Sequence, residues 1–218
     1  VLAKASVNYN SLAHRTTCLR SDFNNGSSVP TAHRKVHSLT LCGLFTALVA
    51  IGAFIQITIP VQPLPMHFTL QFYFALLAGF ILGGKHGSLS VGIYLLIGLC
   101  GVPIFASGGG PSYLLRPTFG FLLGFLFTAA VVGWLTERFH PRHIFAHLGI
   151  SMAGFTVMYL SGNLYYYFVS NYVLDTPVPW SVVIFNCFIL TASGDFLLCV
   201  LASLTARRIS PLMHRILG

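Results

Sequence analysis

Acid is what this 218-residue chain has least of: Asp22, Glu137, Asp175 and Asp195 stand against twelve lysines and arginines. Charged residues make up 7% of the sequence, where a soluble domain carries about 25%. So few charges cannot solvate the surface of a water-soluble fold of this size, and 55% of the chain is hydrophobic. The net excess of base does not indicate nucleic acid. The cations stand singly or in pairs between apolar runs, as membrane flanks do, and form no patch among aromatics. C-x-x-C spacing is also missing. Of Cys18, Cys42, Cys100, Cys187 and Cys199, four lie in apolar runs and read as small packed hydrophobes, with nothing that demands an oxidising compartment.

What is present is apolar sequence in lengths suited to a bilayer. A transmembrane helix needs about 20 mostly apolar residues, somewhat fewer in a protected bundle. Six runs qualify. The first, 39–59, ends at Pro60 and the stretch PVQPLP; the second, 68–83, closes at Gly83-Gly84-Lys85. The third, 87–102, stops at Pro103, and the fourth, 118–136, runs into ERFHPRH. The fifth covers about 147–169 and the sixth about 181–206, closed by Arg207-Arg208. The expected fold is therefore an all-α membrane protein, a bundle of six transmembrane helices. Arg34, Lys35, Lys85, Arg138, Arg142, Arg207, Arg208 and Arg215 collect on one side. The other side, made of 60–67, 103–117 and 170–180, has the single cation Arg116. The bias places both termini in the cytoplasm. Residues 1–38 are polar, lack a hydrophobic period and contain no signal-peptide core, so they read as a disordered or mis-started cytoplasmic extension. The membrane domain is expected over 39–208 and a cytoplasmic tail over 209–218.

Several motifs dissolve on inspection. Gly79 to His86, GFILGGKH, fits the first half of a P-loop, but His86 replaces the Ser or Thr that would hold magnesium, and the stretch ends a membrane helix. No ATP site is visible. His140, His143 and His147 have ligand-like spacing, yet they fall at a span boundary beside Arg138 and Arg142, with only Glu137 as an acid to orient and support them. They read as interfacial, and no metal is expected. Ser193-Gly194-Asp195 is similar to the G-x-G-D of intramembrane aspartyl proteases, with Ala192 where the first glycine belongs. That chemistry needs two carboxylates sharing a proton, and Asp195 is the only acid in any expected span. The chain reads as no enzyme and as needing no cofactor.

Three features remain. A carboxylate at membrane depth costs about 3 kcal/mol, so Asp195 faces a cavity or a partner; structural pairing with a hydroxyl or amide, ligand contact and a proton relay all stay open. The loop after span three, GVPIFASGGGPSYLLRPTFGFLLGF, combines Gly108, Gly109 and Gly110 with Tyr113, Leu114, Leu115 and Arg116. Glycines let backbone turn with positive φ or approach a ligand closely, and the large apolar groups suit a cover more than a linker. Span one carries small residues, Gly43 and Ala47, Thr46 and Ala50, then Ala53, which serve either close packing inside the bundle or docking of another membrane subunit.

Pro103 to Gly110, PIFASGGG, and Pro117 to Phe125, PTFGFLLGF, resemble the BioY family, the biotin-binding S-components of energy-coupling-factor (ECF) transporters. Gly194-Asp195-Phe196-Leu197, the Ala-rich first span and Pro60 to Met66 also fit, and the resemblance covers about 39–208. Arg116 replaces a usual glycine, Phe119 and Phe121 interrupt a Gly–Tyr pair, Leu198 stands where a lysine is expected, and the family's asparagine near the glycine cluster has no clear match. The resemblance implies capture of biotin at the plasma (inner) membrane, surrounded by lipids, with an ECF transmembrane subunit and two ATPases as partners. Asp195 is then expected to accept a urea N–H, and Arg116 to pair the ligand carboxylate in place of the missing lysine. Gly108, Gly109, Gly110, Tyr113 and Phe105 would cover the ligand. Gln56, Gln71, Asn163 and Asn186 are candidates for the urea oxygen, and Gly43, Ala47 and Ala50 for docking. The alternatives are a transporter subunit for another small vitamin-like acid and, from a different class, an intramembrane protease.

Overall fold

The computed structural model describes residues 31–59, 66–141, 143–174, 178–185, 188 and 191–217. Most of the expected extension (1–30), the tip of loop 60–67, and Asp22, Cys18, Arg142, Asp175, Asn186 and Cys187 lie outside the described residues.

Helix α1 spans Thr31–Phe54. It begins eight residues before the first apolar run, because Thr31 to His37 contains neither glycine nor proline to stop it. It also ends before Pro60. Ile55-Gln56-Ile57-Thr58-Ile59 is a β-branched alternation, and the residue before a proline avoids helix. Gln56–Ile59 accordingly forms strand β1, antiparallel to β2, Met66–Thr69, with Gln56 opposite Thr69 and Ile57 opposite Phe68. The first loop is thus a small hairpin on an otherwise helical frame. Its base is closed by the Leu70 N–H donating to Ile55 O at 3.2 Å.

Helix α2, Gln71–Leu99, is continuous in sequence but folded back on itself at Gly83, whose φ of 81° and ψ of 179° are open to glycine and strained for other residues. A straight helix would hold Gln71 and Tyr94 about 34 Å apart; here the Gln71 amide donates to the Tyr94 hydroxyl at 2.6 Å. Gly87 lies so close to the first arm that a Cβ would stand 2.7 Å from Ala78 O. The two arms, 71–82 and 84–99, are antiparallel and about 18 and 24 Å long. The turn falls where the Gly83-Gly84 pair predicts it.

Helices α3 (Phe119–Phe139), α4 (Ile144–Tyr172), the short α5 (Trp180–Ile184) and α6 (Ala192–Leu217) complete the frame. Among the described residues α3 and α4 are long and apolar enough to cross a membrane, and so is α2 if its two arms are counted end to end. The last apolar run contributes, among the described residues, α5 and the first part of α6, and α6 continues past Arg207-Arg208 into the stretch expected as a tail. Phe72, Leu76, Val91, Phe125, Val132 and Cys199 form the core, while Leu44, Leu96, Trp134, Leu160 and Phe168 point outward with about half or more of their surface exposed. An apolar exterior of this kind suits lipid, not water.

At the end where α2 folds back on itself, the hairpin end of the two α2 arms and the one away from the β1–β2 strands, α3 meets the α2 turn backbone to backbone. A Cβ on Gly133 would overlap Gly83 and Gly84, and the Gly84 N–H donates to Glu137 Oε1 at 2.9 Å. The three histidines do not converge. His140 ends α3 with a left-handed φ of 44°, and His143 precedes α4. His147 is buried, with its ring centroid 5.5 Å from that of Phe80, a core position where the sequence suggested an interfacial one.

Candidate functional site

The opposite end of the bundle opens into a cleft whose space, counted together with its solvent-open mouth, is about 600 Å³. Phe68, Phe72, Phe121, Leu122, Phe125 and Met158 supply its apolar walls; Thr69, Gln71, Tyr113, Thr118, Thr191 and Asp195 supply polar groups. β2, α2, α3, α4 and α6 all contribute, so the cleft exists only when the helices are assembled.

Asp195 sits in the first turn of α6, 7% exposed. The Tyr159 hydroxyl donates to its Oδ2 at 2.5 Å and also lies 2.8 Å from Thr191 Oγ1. No second carboxylate joins it among the described residues: Glu137 is at the hairpin end. Tyr159 carries no motif in the sequence; its place is set by α4 crossing α6, with its ring against Phe155, Phe121 and Phe188.

Gln71, 1% exposed, is anchored on both sides. It donates to the Tyr94 hydroxyl, which passes a hydrogen bond on to Ile104 O at 3.1 Å, and it accepts one from Thr69 Oγ1 at 3.3 Å. Of the other amides, Gln56 is engaged with Ala106 O at 3.1 Å. Asn163 has a buried Oδ1 without a hydrogen bond but is not on the cleft wall. Asn186 lies outside the described residues.

The glycine-rich loop is folded tightly onto the end of α2. Phe105 and Gly108 exchange backbone hydrogen bonds of 2.9 and 3.1 Å, and the Gly110 N–H donates to Gly98 O at 2.8 Å. Gly108 and Gly110 hold φ of 112° and 101°, and Gly109 sits where a Cβ would overlap Val102 O. The three glycines thus shape the loop; from this segment Ala106 and Tyr113 reach the cleft wall. Phe105, buried, lies behind Tyr113 in a train of rings from Tyr94 to Phe119, and the missing side chain of Gly98 makes room for it. Tyr113 stands in the middle of the 3₁₀ turn Pro111–Leu115 and is its buried residue. Burial pushes its phenol above the ordinary value, opposed by a hydrogen bond with Ser107 and by the charge of Arg116.

Arg116 is exposed and off the cleft wall, its guanidinium 5.1 Å from the centroid of the Tyr113 ring, a cation–π distance. Leu198, at the position where the resemblance has a lysine, is 4% exposed in the core. The small residues of α1 divide. Thr46 and Ala53 are buried, Thr46 donating to Ser90 O on α2 at 2.9 Å. Gly43 and Ala47 are exposed, Ala50 is half-buried, and a Cβ on Gly43 would meet nothing within 4 Å.

The solved structure of the S-component for biotin from an ECF-type ABC transporter shares this fold with a TM-score of 0.69 and 28% identity, over 81% of this chain and 92% of that one. The probable biotin transporter BioY of Lysinibacillus sphaericus is 38% identical over 172 residues, 79% of this chain and 86% of the relative. The biotin transporter BioY of Thermotoga maritima is 38% identical over 180 residues, 81% and 98% of the two chains. The sequence pattern of the BioY family matches residues 24–215, through every helix that builds the cleft, and the chain belongs to that family.

Proposed function

We propose that this chain captures biotin in the cleft at the loop end, as the substrate-binding subunit of an ECF-type vitamin transporter in the plasma membrane. One observation carries the reading: a buried carboxylate with one oxygen tied to the protein and the other without a hydrogen bond from any described residue, at the wall of an otherwise apolar cleft. Biotin has a cyclic urea on a compact apolar bicycle. A urea N–H donated to Asp195 Oδ1 is a charge-assisted hydrogen bond in low dielectric, and the phenylalanines enclose the rings. Gln71 ranks first for the urea oxygen, because it lines the cleft and its amide has an N–H beyond the one given to Tyr94.

Six spans are supported by the antiparallel arms of α2. With α1, α3, α4 and the α5–α6 segment they make an even number, which returns both termini to one side. Lys85 and Arg138 lie at the hairpin end and Arg116 at the loop end, so the cation bias puts the hairpin end in the cytoplasm. The Gly43–Ala47–Ala50 strip, exposed at Gly43 and Ala47, is the surface offered to the ECF transmembrane subunit, whose two ATPases drive release inward. Arg116 serves the ligand carboxylate only at the mouth of the cleft, as an exposed group beside Tyr113.

Another vitamin-like ligand has one observation in its favour: among the described residues no lysine or arginine stands on the cleft wall. Saturable binding of biotin by the detergent-purified chain, undisturbed by excess thiamine, riboflavin or pantothenate, is the expected result. Displacement by pantothenate with weak biotin binding would favour the alternative. Proteolysis has no such support, since Asp195 is paired with a phenol instead of a second acid.

A further inference from the structure

Tyr159 is 36 residues before Asp195 in sequence and in direct contact with it, and neither the motifs nor the family resemblance gives it a role. A phenol has a single hydrogen. With that hydrogen given to Asp195 Oδ2, the 2.8 Å contact to Thr191 Oγ1 is made by the threonine hydroxyl donating to the phenol oxygen. Thr191 stands one turn before Asp195 and accepts its backbone N–H at 3.1 Å. All three residues are buried. The tyrosine ring cannot swing away: Phe155 lies at 4.6 Å between centroids, and Phe188 and Phe121 meet it edge-on at 5.1 and 6.1 Å.

We propose that Tyr159 is a positioning and specificity-determining residue for ligand capture, occupying Asp195 Oδ2 so that the carboxylate offers one oxygen, Oδ1, to the cleft. This rests on the reading of the cleft as a biotin site. A carboxylate with both oxygens free takes a planar amidinium or guanidinium through two parallel N–H bonds. A carboxylate with one oxygen taken accepts a single N–H. The two N–H bonds of a cyclic urea diverge, so a urea can bring only one of them to Asp195 and loses nothing by the restriction. A bidentate cation forfeits its second bond. Tyr159 therefore favours neutral ureas over amidine- and guanidine-like compounds of the same shape, and it fixes the carboxylate's rotation before the ligand arrives.

The test compares biotin with 2-iminobiotin, its guanidinium analogue, on the full chain in detergent. Tyr159→Phe should weaken biotin, whose carboxylate partner is no longer held in place, while 2-iminobiotin loses less or gains by taking both oxygens of Asp195. The ratio of the two affinities should fall, and in an Asp195→Asn background Tyr159→Phe should leave that ratio unchanged. Loss of packing alone would weaken both ligands alike in either background and would overturn the inference, as would an unchanged ratio. Should Tyr159→Phe fail to elute as a monodisperse protein, Thr191→Val relaxes the phenol from behind: a smaller fall in the ratio supports the proposal and a constant ratio overturns it. Absence of biotin binding by the parent chain would instead strike the biotin reading itself.

Discussion

At the hairpin end, Gly133 of α3 presses on the Gly83–Gly84 turn so closely that one added methyl would overlap backbone, and Glu137 closes the turn from the side. At the loop end, Phe72, Phe121 and Phe125 hold the same helices apart around a cleft, and Gln71 and Asp195 on its wall are each held on one side by a tyrosine. The contrast lies in side-chain volume at the contact: glycine against backbone leaves no space, and aromatic against aromatic leaves a space with a shape. One end fixes how the helices converge, and the other turns that convergence into a container. Asp195 and Gln71 can be anchored at the open end because Tyr159 of α4 and Tyr94 of the other arm of α2 reach them. In a bundle closed at both ends those partners would have no ligand to share.

The comparison breaks most severely at Gly133. Gly133→Leu forces a side chain into the Gly83–Gly84 backbone, which cannot yield as a flexible side chain would. Overpacking of this kind costs about 3 kcal/mol or more, so the expected outcome is loss of a monodisperse, cooperatively melting protein in detergent. A variant with near-parental melting would show that the hairpin end is looser than its geometry.

Asp195→Asn comes next and acts on the open end alone. It keeps the shape and removes the charge, so biotin should bind about tenfold to a hundredfold more weakly, as for one charge-assisted hydrogen bond. The melting temperature should hold or rise, because a buried ion is no longer isolated from water. Calorimetric titration and a thermal melt read both. Unchanged affinity would move the recognition of the urea away from α6.

How much of this was legible in the sequence depends on whether one residue or a pair carries the signal. The turn of α2 was legible because Gly83-Gly84-Lys85 interrupts an apolar run, and Asp195 because a lone acid in such a run needs a reason. The β1–β2 hairpin was available in the alternation of Ile55, Ile57 and Ile59 but was masked by the hydrophobicity it shares with the helix before it. Tyr159 was not legible: among nine tyrosines nothing local marks the one that meets Asp195, since the contact is made by two helices 36 residues apart. The glycine run was legible as unusual backbone, which Gly108 and Gly110 hold. Three glycines announce unusual backbone, but only the fold tells that they serve to lay the loop on α2.

Arg116→Ala sharpens the contrast at the mouth of the cleft. The guanidinium is exposed over Tyr113, and exposed ion pairs contribute about 1 kcal/mol or less. Biotin should lose about fivefold at most, and biotinamide, which has no carboxylate, should lose nothing. The salt dependence of biotin binding should flatten in the variant. Equal loss for acid and amide would assign the arginine to holding the 3₁₀ turn through Tyr113 instead.

The smallest effect on the isolated chain is expected at Gly43, and it tests the contrast with the same substitution that opened the series. Gly43→Leu adds the bulk that Gly133→Leu adds, yet a Cβ at Gly43 meets nothing within 4 Å and the residue faces outward from α1. In a helix, leucine also replaces the poor propensity of glycine, about 1 kcal/mol in its favour. Melting temperature should therefore hold or rise slightly, and biotin affinity in detergent should stay within about threefold, since the site lies at the far ends of other helices. Uptake of labelled biotin by cells that also make an ECF transmembrane subunit and its ATPases is where the variant should fail, because close helix approach needs a small residue at the contact. Ala47→Leu, one turn on and equally exposed, should repeat the result. If both variants bind and transport like the parent, the strip faces lipid and the partner docks elsewhere. If they lose binding in detergent together with uptake, α1 is packed more tightly at its outer face than the open space around Gly43 allows.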